Sequence, residues 1–184
     1  MIIYIHGFGS SGEGSKAKLF REYFKAKGEA FIAPSLSYVP ELAIQTLEEL
    51  IKSYEGKVML IGSSLGGFYS LYLSQKYKLY TVLINPAIYP YITLNRCLGY
   101  APNFYDESSF LWSSSHINML EKYKVEEVKN KYILLLVQKG DETLDYKEAV
   151  DKCQGSQMIV EEAGSHSFDD IGRHYLTIEK HLKQ

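Results

Sequence analysis

Between Lys57 and Tyr77 the chain reads KVMLIGSSLGGFYSLYLSQKY, a strand pattern that runs into a helix pattern with no linker between them. Few folds accept that junction. The apolar run over 57–62 reads as a strand, and the helix over 65–77 is so apolar that it must be buried on more than one side. A strand that turns into a helix this abruptly needs small residues around the bend. Gly62-Ser63-Ser64-Leu65-Gly66 supplies them in the G-x-S-x-G order of a nucleophile elbow, in which small neighbours two residues away on each side let the chains approach. In that register Ser64 is the nucleophile, standing at a helix N-terminus whose dipole favours developing negative charge.

The string alone is weak evidence. With 14 glycines and 18 serines in 184 residues, chance gives about 0.1 matches. The strand before it and the helix after it give the box its weight.

The rest of the chain alternates in the same way. Strands are expected over 1–5, 30–33, 57–62, 79–85, 131–138 and 157–161, and helices over 15–27, 41–53 and 65–77. A last helix carries Phe168, Ile171, Tyr175, Ile178 and Leu182 on one stripe, with Ser167 as N-cap and Asp169 and Asp170 in its first turn. Strands separated by helices imply right-handed crossovers and an α/β fold, a doubly wound and mostly parallel six-stranded sheet. Residues 1–184 read as one domain, long enough to bury a proper core. The exception to the alternation is 86–130, too long for an ordinary connection and rich in aromatics. It is expected to hold one to three short helices over the carboxyl ends of the strands, as a lid or pocket insertion. Many of the 16 tyrosines cluster between Tyr69 and Tyr105. They suggest an apolar acyl pocket, or equally ordinary core packing.

Composition narrows the partners. The net charge is -2 and no dense Lys/Arg stripe occurs, so no nucleic-acid partner is expected; KAKLFREYFKAK reads as a solvated helix face. No apolar window approaches the length of a membrane span, and the N-terminus lacks the basic region of a signal peptide. Cys97 and Cys153 lie far apart, as free thiols do in a reducing compartment, and a cytoplasmic location is the expectation. No H-E-x-x-H or Cys/His cluster points to a metal.

Gly7–Gly12, G-F-G-S-S-G, matches the dinucleotide fingerprint, but its context fails. The second strand ends in Ala33-Pro34-Ser35 with no acid for a ribose, and the helix starts only near Ser15. Gly14-Ser15-Lys16 has the wrong order for a Walker A loop.

A nucleophilic serine needs a base and an orienting acid, in the chain order Ser, Asp or Glu, His. The loop after the 131–138 strand offers Asp141, Glu142 and Asp145. Asp141 lies nearest the strand end and is favoured, while Asp145 suits the cap of a helix starting near Tyr146. The loop after the 157–161 strand carries His166. It is preferred to His116, which lies in the insertion as a surface or lid residue, and to His174 and His181, which belong to the last helix and are expected to be partly exposed. For the oxyanion, Leu65 N–H follows the nucleophile, and Phe8 N–H sits in the His6-Gly7-Phe8 loop after the first strand. His6 anchors that loop or is a satisfied structural histidine.

The segments YIHGFGSS, LIGSSLGGFYSLYLS, INPA, GDETLDY and GSHSF resemble the small bacterial α/β-hydrolases of the YqiA-like esterase family, in the family's order and over nearly the whole chain. The resemblance implies a compact α/β-hydrolase fold without the early antiparallel strands of larger members. It implies a serine esterase with Ser64, Asp141 and His166 as triad, needing no cofactor and acting on a small-molecule acyl ester or thioester. Two alternatives share the site. An acyl-CoA thioesterase would need basic groups at the pocket mouth, for which Arg96 and Lys122 are candidates, and a weakly active ligand-binding relative would keep the fold without turnover.

Overall fold

The structure, a computed structural model, describes residues 1–184. In chain order come β1 (Ile2–Ile5), α1 (Ser15–Ala26), β2 (Phe31–Ile32), α2 (Pro40–Ser53), β3 (Met59–Ser64), α3 (Leu65–Tyr77) and β4 (Thr81–Pro86). Next are α4 (Pro90–Thr93), β5 (Gly99–Pro102), β6 (Ser109–Trp112) and α5 (Ser114–Glu121). The chain closes with β7 (Ile133–Gln138), α6 (Tyr146–Lys152), β8 (Gln157–Glu161) and α7 (Tyr175–Leu182).

The main sheet has six strands in the order β2-β1-β3-β4-β7-β8, and every neighbouring pair is parallel. Parallel neighbours require crossovers, and the crossover helices cover both faces. Side chains of β1 divide with the period of two that a strand imposes. Ile3 and Ile5 pack with α2 and α3 through Leu47, Phe68 and Leu73, whereas Ile2 and Tyr4 pack with Phe20, Phe24 and Ile178 of α1 and α7. The apolar α3 is buried through Leu65, Phe68, Tyr69, Leu71 and Leu73, as its composition demands.

Three local expectations are corrected. Segment 86–130 contains short helices, but also an antiparallel hairpin of β5 and β6 with Tyr100 opposite Leu111. Phe110 and Trp112 point inward, where their rings pack edge-on against Phe8 at centroid distances of 5.4 and 4.9 Å. Trp112 Nε1 donates to the Leu94 carbonyl (3.2 Å). The last helix does not start after Ser167. Phe168 and Asp170 adopt left-handed backbone (φ 59° and 52°), which turns buried Phe168 into the core, and α7 begins only at Tyr175 after a 3₁₀ turn. His181 is only 3 % exposed, with Nε2 3.1 Å from the Tyr132 carbonyl, and His116 is buried with its ring stacked on Trp112. Cys97 and Cys153 are free thiols. No helix is long and apolar enough to cross a membrane.

Candidate active site

The elbow is built by β3 and α3. Ser64 holds φ 55° and ψ −123°, a strained backbone for a residue with a side chain. Its two framing glycines are required by contact. A Cβ at Gly62 would collide with Ser70 Oγ and the Gly66 carbonyl, and one at Gly66 with the Ile5 and His6 carbonyls. The Ser64 carbonyl accepts from Ala87 N–H (3.0 Å), which fixes the turn from the β4 side.

Three loops at the carboxyl ends of β3, β7 and β8 then converge. Ser64 Oγ lies 3.1 Å from His166 Nε2. His166 Nδ1 lies 2.8 and 3.0 Å from the two oxygens of Asp141. A carboxylate accepts only, so the proton sits on Nδ1 and the Nε2 lone pair faces the serine hydroxyl. The Asp141 side chain is 3 % exposed. Burial pushes its carboxyl up, but hydrogen bonds from His166, Leu144 N–H and Thr143 N–H together outweigh that and hold it below its usual value. The favoured acid therefore meets the favoured histidine. Asp145 caps α6 by accepting from Lys147 N–H (3.0 Å). Glu142 accepts from His166 N–H (2.9 Å) and steadies the loop that carries the imidazole.

Two further residues hold that loop. Asn85, 2 % exposed at the end of β4, donates through Nδ2 to the Ser165 and His166 carbonyls (2.9 and 3.2 Å) and accepts from Gln138 N–H (3.0 Å). Gln138, also buried, accepts through Oε1 from Ser165 and Asp169 N–H and donates through Nε2 to Glu161 and the Asp169 carbonyl. Sequence reasoning passed over both. Their signal was a polar residue closing an otherwise apolar strand, in INP and in ILLLVQ.

The glycine loop after β1 lies directly on Ser64. A Cβ at Gly7 would stand 3.1 Å from Ser64 Cβ and 3.5 Å from Ser64 Oγ. Phe8 N–H makes no backbone hydrogen bond, and Leu65 N–H, at the first position of α3, has no acceptor within its helix. His6 is an anchor: Nδ1 donates to the Gly7 carbonyl (2.8 Å) and Nε2 accepts from Leu36 N–H (3.0 Å). Burial lowers its pKa and keeps the ring neutral, as this pattern requires.

Two cavities meet at this loop. A cleft of about 620 Å³ holds Ser64, His166, Thr143, Lys16 and Lys18. A smaller one of about 70 Å³ lies among Leu36, Tyr38, Leu65, Tyr69 and Phe110, and both share Gly7, Phe8 and Ser10. Lys16 Nζ donates to the Ser167 carbonyl (2.7 Å), and burial lowers its pKa to about 8. Neither Arg96 nor Lys122 lines either of these two cavities. Arg96 reaches the Thr143 carbonyl at 3.5 Å, and Lys122 pairs with Glu41 at 2.6 Å. No group of three His, Cys, Asp or Glu side chains is arranged to hold a metal ion.

A family model described as "Uncharacterised protein family (UPF0227)" matches residues 1–183. A UPF0227 protein of Yersinia enterocolitica is 24 % identical over 184 residues, covering 97 % of each chain. Among solved structures, mouse alpha/beta hydrolase domain-containing protein 10 superposes with a TM-score of 0.77 at 21 % identity, over 97 % of this chain and 86 % of the other. A monoacylglycerol lipase from Paleococcus ferrophilus superposes with a TM-score of 0.67 at 18 % identity, over 99 % and 93 %. The fold is that of the α/β hydrolases.

Proposed function

The chain belongs to the UPF0227 family, and we propose that it is a serine hydrolase of carboxylic esters or thioesters. The observation that carries this reading is the unbroken line from Ser64 Oγ through His166 to Asp141, starting on a strained elbow. The lipase among its structural neighbours supports the same chemistry.

In this mechanism His166 Nε2 takes the Ser64 proton as Oγ attacks the acyl carbonyl carbon. Asp141 keeps the imidazole in the required tautomer and stabilises the imidazolium that forms. The carbonyl π pair moves onto oxygen, which the Phe8 and Leu65 N–H groups receive; their freedom from other acceptors suits them to it. The tetrahedral adduct collapses, the bond to the leaving oxygen or sulfur breaks, and His166 returns the proton to it. Water, deprotonated by the same nitrogen, then attacks the acyl-enzyme and releases the acid. Residues 86–130 wall the substrate site through Phe104, Tyr105 and Phe110.

Reaction with a fluorophosphonate probe tests this. The wild type becomes labelled and Ser64→Ala does not, and Ser64→Ala also loses hydrolysis of simple esters by about 10⁴-fold or more. A folded wild type that neither labels nor hydrolyses any ester overturns the reading.

A further inference from the structure

We propose that the two cavities divide the substrate beside Ser64: the small one takes the acyl group, and the polar cleft takes the leaving group. The substrates are then short-chain acyl esters or thioesters of a large polar alcohol or thiol. This rests on the serine hydrolase reading.

Stereochemistry makes the assignment. An adduct on Ser64 Oγ has its oxyanion directed at Phe8 and Leu65 N–H, which leaves two substituents to be housed. The leaving heteroatom must lie within reach of His166 Nε2, because that nitrogen delivers the proton that accompanies departure. His166 lines the large cleft, together with Thr143 and Ser167, and takes no part in the small cavity. The scissile bond therefore points into the cleft, where the electron pair leaves with the heteroatom and the proton passes from His166. The acyl chain is directed to the other side, where the small cavity borders Phe8 and Leu65.

The dimensions give the substrate class. At about 70 Å³ the small cavity suits a short acyl chain. Phe110 and Tyr38, stacked at 4.7 Å, form one wall of this cavity. The cleft is about nine times larger by volume (620 against 70 Å³) and is lined by Ser10, Ser11, Ser15, Lys16 and Lys18. Glu13 in the same lining is already paired with Arg21 at 2.8 Å, so the free charges on that side are cationic.

The test is kcat/KM for an acetyl-to-decanoyl series of esters sharing one leaving group. The expected profile peaks at short chains and falls at least about tenfold between butanoyl and decanoyl. Phe110→Ala and, separately, Tyr38→Ala extend the profile, raising the decanoyl-to-butanoyl ratio about tenfold. Tyr38 is half exposed, so its variant does not put folding at stake. Lys18→Ala changes KM with the polarity of the leaving group and does not move the chain-length optimum. A wild type equally fast on butanoyl and decanoyl esters overturns the proposal, and so does an optimum that moves with Lys18→Ala but not with the aromatic variants. Fluorophosphonate labelling of Ser64, run alongside, separates the two levels. Labelling with a failed profile removes only the cavity assignment, and absent labelling removes the hydrolase reading as well.

Discussion

His6 acts on the site through a single peptide plane. The carbonyl of Gly7 and the N–H of Phe8 belong to the same planar trans unit and point in opposite directions. By holding that carbonyl at 2.8 Å, and being held itself by Leu36 N–H, His6 directs the Phe8 N–H the other way. His6→Ala is expected to lower kcat by about 10–100-fold with little change in KM, because the donor matters most when charge develops on the oxyanion. A loss confined to KM would show that the loop only shapes binding. Asp141 permits a cleaner test. Asp141→Asn keeps the shape but presents an amide to His166 Nδ1 and favours the wrong tautomer, for an expected fall in kcat of about 10³–10⁴-fold. If Asp141→Asn retains most of the wild-type kcat, the acid has been wrongly assigned. Asn85 acts at one remove. Asn85→Ala leaves two carbonyls of the His166 loop and Gln138 N–H without their partner, each a buried polar loss of about 1–3 kcal/mol. A marked drop in Tm together with slower fluorophosphonate labelling is expected, and an unchanged labelling rate would show that the loop orders itself.

At the scale of elements, the site was legible wherever its cause is local. The elbow can be read from GSSLG because steric demand fixes small residues at Gly62 and Gly66. Asp141 and His166 were legible from chain order, since each follows the end of an apolar strand that borders the switch from sheet to loop. The hairpin of β5 and β6 was not legible. Its strands are four residues each, one starts with glycine and ends with proline, and they pair because Phe110 and Trp112 cover Phe8. That contact joins residues about a hundred positions apart, which no local pattern encodes. The start of α7 was misplaced for a related reason: Ser167 and two acids imitate a capped first turn, while Phe168 must enter the core and Gln138 takes the Asp169 N–H. The elbow makes its own prediction. Gly66→Ala puts a methyl group into the Ile5 and His6 carbonyls at the crossing of β1 and α3. It is expected to lower Tm and abolish probe labelling, whereas Gly28→Ala, where a Cβ meets nothing within 4 Å though φ is +72°, costs only about 1 kcal/mol of backbone strain.

For the whole molecule the titration of buried groups sets how stability follows pH. His6, His116 and His181 are all buried, and burial lowers the pKa of each. Their unfolded value is about 6.5. Below it the unfolded chain binds protons that the native chain refuses, so stability falls as pH drops through about 6.5. A second set acts lower down. Glu161, hydrogen-bonded first of all by Arg173, and Glu179, bonded first of all by Lys183, are each held at about 2. A carboxylate depressed in this way stabilises the fold above its unfolded value of about 4.3, and that contribution is lost as pH falls toward 2. Glu161 ties β8 to Arg173, His174 and Gln138, so its protonation loosens the scaffold under the His166 loop as well as the sheet edge. Tm measured from pH 8 to 3 is therefore expected to decline in two steps, one through the histidine range and one below about 4.5. His181→Gln, which keeps a donor for the Tyr132 carbonyl but cannot titrate, is expected to shallow the first step and leave the second in place. A Tm that stays flat down to pH 5 would show that the buried histidines take up protons as readily in the fold as out of it.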